Sequence, residues 1–190
     1  MKKLILTTLL IVGVSAPQLA HAQETYTIDA SHTNILLRVS HGGFSDMVLE
    51  ALQPEGTIVF DKENPTKSAV QLTLKSSNID GDDEKFNEHL HSADFFDAKN
   101  HPEITFKSTN IKMIDENTGI ITGDLTLRGI TKPVNLNVDF NKAGQNPSSK
   151  KDVIGFTASG SLNRSDYMMN YGLPFVGDKV TLDINVEATK

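Results

Sequence analysis

Apolar and polar residues alternate with a period of two along most of this chain, and that pattern limits what it can fold into more than any other feature. Val134, Leu136, Val138 and Phe140 are separated by Asn135, Asn137 and Asp139, and Val180, Leu182, Ile184, Val186 and Ala188 by Thr181, Asp183, Asn185 and Glu187. Successive side chains of a strand point to opposite faces, so each segment reads as a strand with one buried and one wet face. Weaker alternation over 35–41, 57–61, 70–76, 104–108, 121–127 and 154–164, with 26–29 added, brings the expectation to about nine short strands. Turn chemistry separates them: Gly42-Gly43, the KENP string at 62–65, DENTG at 115–119 and the polar stretch 141–152.

An antiparallel run of this length with one apolar face must dispose of its sheet edges by closing into a barrel or pairing as a sandwich. The size of the inward residues favours a barrel around a cavity. Ser76, Ser108, Gly123, Ala158, Gly160 and Ala188 all fall at inward parity, where a solid core would carry large side chains. In the competing reading, large neighbours cover the small residues and the core is filled.

The first 22 residues are set apart. Lys2 and Lys3 precede an apolar run from Leu4 to Val14 and a small-residue AHA ending at Ala22. This is the pattern of a cleaved secretory signal peptide, and the run is too short for a membrane-spanning helix. Residues 23–190 then form one domain. Without Lys2 and Lys3 the 18 basic residues become 16 against 24 acidic ones, and the formal charge of −6 becomes −8. That balance argues against nucleic acid and against anionic membrane surfaces as partners. Cysteine is absent, which removes disulfides, thiolate metal sites and cysteine nucleophiles. An exported chain without disulfides must draw its stability from a regular, well-closed core.

The longest segment without strand character lies between Asn78 and Pro102. Phe86, Leu90 and Ala93 fall there at helical spacing after the acidic start Asp82-Asp83-Glu84, which predicts a short helix. With the paired Phe95-Phe96 and the following strand carrying Phe106, this string reads as a cap joined to a barrel wall. At strand ends His41 continues the stripe of Leu37 and Val39, and Arg164 continues that of Phe156 and Leu162, placing an imidazole and a guanidinium at the rim. There they would meet the polar end of a guest, or else bond to the protein: Arg164 to a carboxylate such as Asp166 or Asp94, His41 to a backbone carbonyl. The expected ligand contacts are completed by Phe44 beside the glycine pair, Leu72 and Leu74, Leu127, and Met168, Tyr171 and Phe175.

No enzyme is expected. Ser31 beside His32, and Ser92 beside His91 and Asp94, lack a nucleophile-elbow pattern, and local clustering is not triad geometry. His89 and His91 suggest a metal pair, but on a helix residues two apart diverge by about 200° and do not chelate one ion.

Three strings, DASHTNILLRVSHGGFS at 29–45, HLHSADFFDAKNHPEITFKST at 89–109 and GDLTLRGITKPVNLNV at 123–138, resemble in order and spacing the signatures of the YceI-like family. The resemblance covers nearly all of the chain after residue 22. It implies an extended, lipocalin-like antiparallel β-barrel, periplasmic and homodimeric, with one short helix capping an elongated apolar cavity. It also implies non-catalytic binding or transport of a polyisoprenoid, isoprenoid quinone or fatty-acid-like lipid, with no other cofactor. By position His32 and His41 bracket the first long strand, His89 to Phe96 form the helical segment at the mouth, and Gly129 to Pro133 make a tight corner. The chain departs from the family at Leu49-Glu50-Ala51, where a glycine and an aromatic are usual, and at Met168-Met169 after Tyr167. Methionine adapts its shape readily, so these departures bear on the pocket wall more than on the fold. Two other readings stand beside lipid carriage: a structural or stress-related protein with a filled core, and metal binding through His89 and His91.

Overall fold

The computed structural model describes residues 23–190; the signal-peptide expectation for 1–22 lies outside them. Among the described residues there are eleven strands and one α-helix: β1 (Glu24–Ile28), β2 (Asn34–His41), β3 (Ser45–Ala51), β4 (Glu55–Phe60), β5 (Ala69–Lys75), β6 (Ile79–Asp80), α1 (Glu84–Leu90), β7 (Glu103–Met113), β8 (Thr118–Leu127), β9 (Ile130–Gln145), β10 (Asp152–Asn163) and β11 (Val176–Thr189). All pairings are antiparallel. The order β1-β4-β5-β7-β8-β9-β10-β11 returns to β1, closing an eight-stranded barrel.

Closure depends on β11, whose outer edge is shared by two strands. Its C-terminal end pairs with β1 (Thr27 with Thr189, Ile28 with Ala188), and its N-terminal part, from Asn185 back to Val176, pairs with β2. A 3₁₀ turn over 30–32, capped by the Asp29 side chain, separates β1 from β2. Breaks between β3 and β4 and between β5 and β6 follow suit, so β2, β3 and β6 extend the wall on one side as a ribbon. Closing the barrel gives each of its eight strands a partner on both sides, so none of the eight offers a free edge to another sheet.

Several elements differ from the sequence reading, and bulges explain most of the differences. In β7 one extra residue, Thr109, interrupts pairing with β8, so the inward set changes from Ile104 and Phe106 to Ile111 and Met113. A period-two pattern read from Ile104 therefore ends at Ser108 although the strand continues. In β9 the register jumps from Phe140 opposite Phe156 to Lys142 opposite Gly155, and the strand runs through the polar stretch to Gln145. The turn is only 146–151. β3 was absent from the expectation because its inward positions hold Met47, Leu49 and Ala51 against Val48 outward, a weak contrast. Helix α1 ends at Leu90, so Ala93 lies in the turns that follow. The β8–β9 corner is tighter than 129–133: Arg128 and Gly129 alone carry positive φ (51° and 71°), the geometry of a two-residue hairpin turn.

The small inward residues do not make the cavity in the way their size suggested. A Cβ on Gly123 would lie 2.3 Å from the Phe106 ring and 2.8 Å from the Lys107 carbonyl, and one on Gly160 would lie 2.7 Å from Leu136. Both glycines are covered by a large neighbour on the paired strand. Ser76 is buried and donates to the His101 carbonyl (2.6 Å), Ser108 Oγ accepts from the Val70 amide (2.9 Å), and Ala188 is sealed among Tyr26, Ile28, Ile58 and Ile154. Of the six, Ala158 borders open space. Gly123→Ala is accordingly expected to cost about 1–3 kcal/mol through overpacking against Phe106, read as a lower chemical-denaturation midpoint at unchanged m-value.

Candidate functional site

The barrel encloses a chamber of about 430 Å³. Alternate residues of the wall strands line it: Ile28, Ile35 and Leu37; Ile58 and Phe60; Val70, Leu72 and Leu74; Ile104, Phe106, Ile111 and Met113; Ile121, Leu125 and Leu127; Val134, Leu136, Val138 and Phe140; Phe156, Ala158 and Leu162; Leu182, Ile184 and Val186. One end is closed by Ala51, Ile79, Phe96, Ile104 and Leu127, all buried, with Leu90, Tyr167 and Met169 packed in the same cluster. The other lies at the 61–68 and 114–117 loops, where Phe60, Phe140 and Phe156 pack with ring centroids 5.4–5.7 Å apart.

The closed end is built by the 84–101 segment and held by hydrogen bonds. Asp83 caps α1 by accepting from the Phe86 amide (2.9 Å), the Phe96 amide donates to the Leu90 carbonyl (2.9 Å), and Arg128 reaches over from the β8–β9 corner to the carbonyls of Ala93 and Phe95. Phe96 thereby points into the chamber, while Phe95 turns outward against His89 and Tyr171.

Of the eighteen expected ligand contacts, eight line the chamber: Leu37, Leu72, Leu74, Phe96, Phe106, Leu127, Phe156 and Leu162. The other ten do not. Val39 and Leu90 are buried without bordering the chamber, and Phe86 and Phe95 pack against the cap cluster. Phe44, Met168, Tyr171 and Phe175 are exposed on the outer surface, Phe44 at 86%. Met168 has φ 61°, which turns its side chain out while Met169 turns in. His41 pairs with Val176 and stands edge-on to Phe175 at 4.9 Å.

Arg164 departs furthest from a rim guanidinium. It is 3% exposed, and its Nε, Nη1 and Nη2 donate to the carbonyls of Gly177 (2.8 Å), Met169 (2.6 Å) and Val176 (2.9 Å). Neither expected carboxylate pairs with it: Asp166 lies 3.8 Å from Lys132 and Asp94 lies 3.2 Å from His89. Burial pulls the arginine's pKa down, and Asp178, which accepts from Ser165 N and Oγ at 2.8 Å, opposes that. The guanidinium ties the start of β11 and the loop before it to the end of β10.

The lining residues outside the expected site come from every wall strand, among them Ile28, Ile58, Val70, Ile111, Ile121 and Ala158 beside those of β9 and β11. Val138, Phe140, Leu182, Ile184 and Val186 belong to the two clearest alternating stripes, so the signal was present. Lys62, Glu116 and Asn117, which the sequence shows only as turn residues, border the chamber, as does Ser68, for which the sequence carries no signal.

The local clusters considered for chemistry are engaged elsewhere. Ser31 Oγ and Asp29 Oδ2 both meet the same ring nitrogen of His32, Nδ1, at 3.1 and 2.9 Å, so no relay passes through the imidazole. This is an exposed 3₁₀-turn cap, and it lowers the Asp29 pKa to about 2, chiefly through the Ser31 hydrogen bond. His91 Nε2 meets the Ile79 carbonyl (2.9 Å) while His89 turns to Asp94, so the two rings have separate partners. Among the described residues no group of three His, Cys, Asp or Glu side chains could hold a metal.

Tyr167, 1% exposed, has a hydroxyl with no hydrogen-bond partner. Burial first, and Asp166 second, raise its pKa to about 12; burial and the hydrogen bond to Glu24 do the same for Tyr26. A phenol with a raised folded pKa contributes stability that is fully present below its unfolded pKa of about 10 and is lost as pH rises through about 12. Tyr167→Phe is expected to raise stability by about 1 kcal/mol, since it removes an unsatisfied buried hydroxyl. It should also flatten the alkaline loss, measured as melting temperature against pH from 9 to 12.

A closed antiparallel barrel around an apolar chamber, with the histidines among the described residues outside the lining and its buried cation spent on backbone carbonyls, is the architecture of a lipocalin-like container. The model of the YceI-like domain matches residues 26–188, and the chain belongs to the YceI-like family. Protein YceI of Escherichia coli O157:H7 is 34% identical over 167 residues, 87% of this chain and 86% of that protein. Burkholderia cenocepacia BcnA shares the fold at TM-score 0.77 and 22% identity, over 85% of this chain and 99% of that one. A polyisoprenoid binding domain from Saccharophagus degradans, implicated in plant cell wall breakdown, does so at TM-score 0.66 and 11% identity, over 86% and 97%.

Proposed function

We propose that this protein is a non-catalytic carrier that sequesters the hydrocarbon chain of a polyisoprenoid, isoprenoid quinone or fatty-acid-like lipid in its barrel, in the periplasm after cleavage behind Ala22. The observation that carries this reading is the chamber itself. Its volume of about 430 Å³ lies within the roughly 300–1,000 Å³ of ligand pockets. Apolar side chains from every wall strand line it, so burying a chain there contributes about 0.8 kcal/mol per methylene. The shared fold with a polyisoprenoid binding domain supports the same class of guest. Exclusion of water from an apolar tube retains such a guest, and no bond need be made or broken. A protein whose core is filled would leave no such space.

The test is native mass spectrometry of protein purified from the periplasmic fraction without detergent. A lipid-mass adduct on a chain beginning at Gln23 is expected. After solvent extraction, the stripped protein should take up a fluorescent polyene fatty acid saturably; an extrinsic probe is needed because the chain has no tryptophan. If no adduct appears and the probe does not bind, the carrier reading fails.

A further inference from the structure

The polar residues bordering the chamber are distributed very unevenly. Among the described residues there are five: Thr33, Lys62, Ser68, Glu116 and Asn117. Thr33 sits in the wall between β1 and β2, and its hydroxyl both donates to the Glu187 carbonyl and accepts from the Glu187 amide, at 3.4 Å. The remaining four lie on the two loops facing each other at one end, 61–68 and 114–117. Lys62, Glu116 and Asn117 are exposed there, and neither Lys62 nor Glu116 enters an ion pair among the described residues. Ser68 Oγ accepts from the Asp61 amide (2.9 Å), which leaves its own proton free to donate.

The opposite end has no such groups. Ala51, Leu74, Ile79, Phe96, Ile104 and Leu127 close it, each at most 7% exposed. The cation beyond them, Arg164, has its nitrogens directed at three carbonyls. The one buried side-chain polar atom without a partner among the described residues, the Tyr167 hydroxyl, does not border the chamber. A polar end group placed at Phe96 would lose its water without gaining a partner, whereas at the loops it keeps both water and hydrogen bonds.

We propose that the chamber is directional: an amphiphile lies in it with its polar end between Lys62, Ser68, Glu116 and Asn117 and its tail pointing at Phe96. This rests on the carrier reading and inverts the expectation that the helical cap stands at the mouth. Entry is tail first between the two loops, past the Phe60, Phe140 and Phe156 rings. Lys62 and Glu116 bring opposite charges to the same opening, so an uncharged hydrogen-bonding end group, such as a hydroxyl, is the chemistry this end accommodates best. A full anion would meet the carboxylate and the chain's negative field as well as the ammonium.

Two long-chain alcohols of equal length test this on the full mature protein, one carrying a diazirine beside the hydroxyl and one at the terminal carbon. After irradiation, the first is expected to label peptides containing 61–68 or 114–117, and the second those containing Ile79, Phe96 or Leu127. The reverse pattern would overturn the orientation while leaving the carrier reading intact. Labelling by neither probe that a competing fatty alcohol abolishes would remove the carrier reading and the orientation with it. As an independent check, K62M/N117L should weaken binding of the alcohol by about 10-fold, the scale of one or two hydrogen bonds, and of an alkane of equal length by less than about 2-fold. Both positions are exposed, so folding should survive, which circular dichroism would verify. Equal losses for alcohol and alkane would count against the assignment.

Discussion

Arg164→Met is expected to lower the unfolding free energy by about 3–5 kcal/mol, the largest single-residue effect anticipated here. Methionine retains an unbranched stem of similar reach but leaves the carbonyls of Gly177, Met169 and Val176 without their donors. Hydrogen bonds from a charged donor contribute about 1.5–3 kcal/mol each, and the recovered desolvation of the guanidinium offsets part of the sum. For a domain of this size each kcal/mol moves the melting temperature by about 2–4 °C, so a fall near 10 °C should be seen by calorimetry. Arg164→Lys should recover little, because one ammonium cannot serve three carbonyls arranged for a planar fork. Binding gives the complementary readout. Any residual loss should be equal for charged and neutral ligands of the same chain length, since the guanidinium faces the Met169, Val176 and Gly177 carbonyls and not the chamber. A loss confined to charged ligands would show that Arg164 reaches a ligand after all.

Ala158→Phe is expected to abolish most ligand uptake while preserving the barrel. Ala158 lies mid-wall, opposite Val138 on β9 and Ile184 on β11, with its methyl toward the chamber. A ring there would displace two or three methylenes of a guest, about 2 kcal/mol or roughly a 30-fold weaker Kd. Filling open space removes no contact, so the melting temperature should stay within a few degrees of the parent. Ala158→Leu should give a graded, smaller loss. Unchanged affinity for a polyene fatty acid in both variants would place the guest somewhere other than this chamber. If Ala158→Phe fails to fold, the leucine variant alone still decides the question.

Legibility followed physical regularity. The stripes Val134 to Phe140 and Val180 to Ala188 revealed their strands because neither is interrupted where it was read, and the inward parity of Phe106, Phe156 and Leu162 followed from the same rule. The far half of β7 was hidden by one extra residue at Thr109, which exchanges the inward and outward sets without changing composition. The N-terminal sequence signs of the helix were legible because Asp83 and the acidic first turn act locally. Its C-terminal limit was not, since Ala93 continues the helical spacing although the chain turns at His91. Arg164 continues the inward stripe of 154–162 in the sequence, but β10 ends at Asn163 and the guanidinium turns to backbone carbonyls instead of the chamber. The carbonyls it binds are supplied by Met169 and the start of β11, brought there by a connection whose path no local pattern encodes.

By itself the sequence determined an all-β chain with one wet and one buried face, a short capping segment, and the absence of disulfides and thiolate chemistry. Each of these follows from side chains within a few residues of one another or from counting. Only the tertiary structure decided which positions border empty space, because a cavity is a property of opposing walls. Gly123 and Gly160 look like room for a guest until Phe106 and Leu136 are seen to cover them, and Lys62 and Asn117 look like turn residues until closure of the barrel brings their loops to one end of the chamber. Closure itself, through two residue pairs between β1 and β11 far apart in the chain, converts a list of alternating strands into a container with two unlike ends.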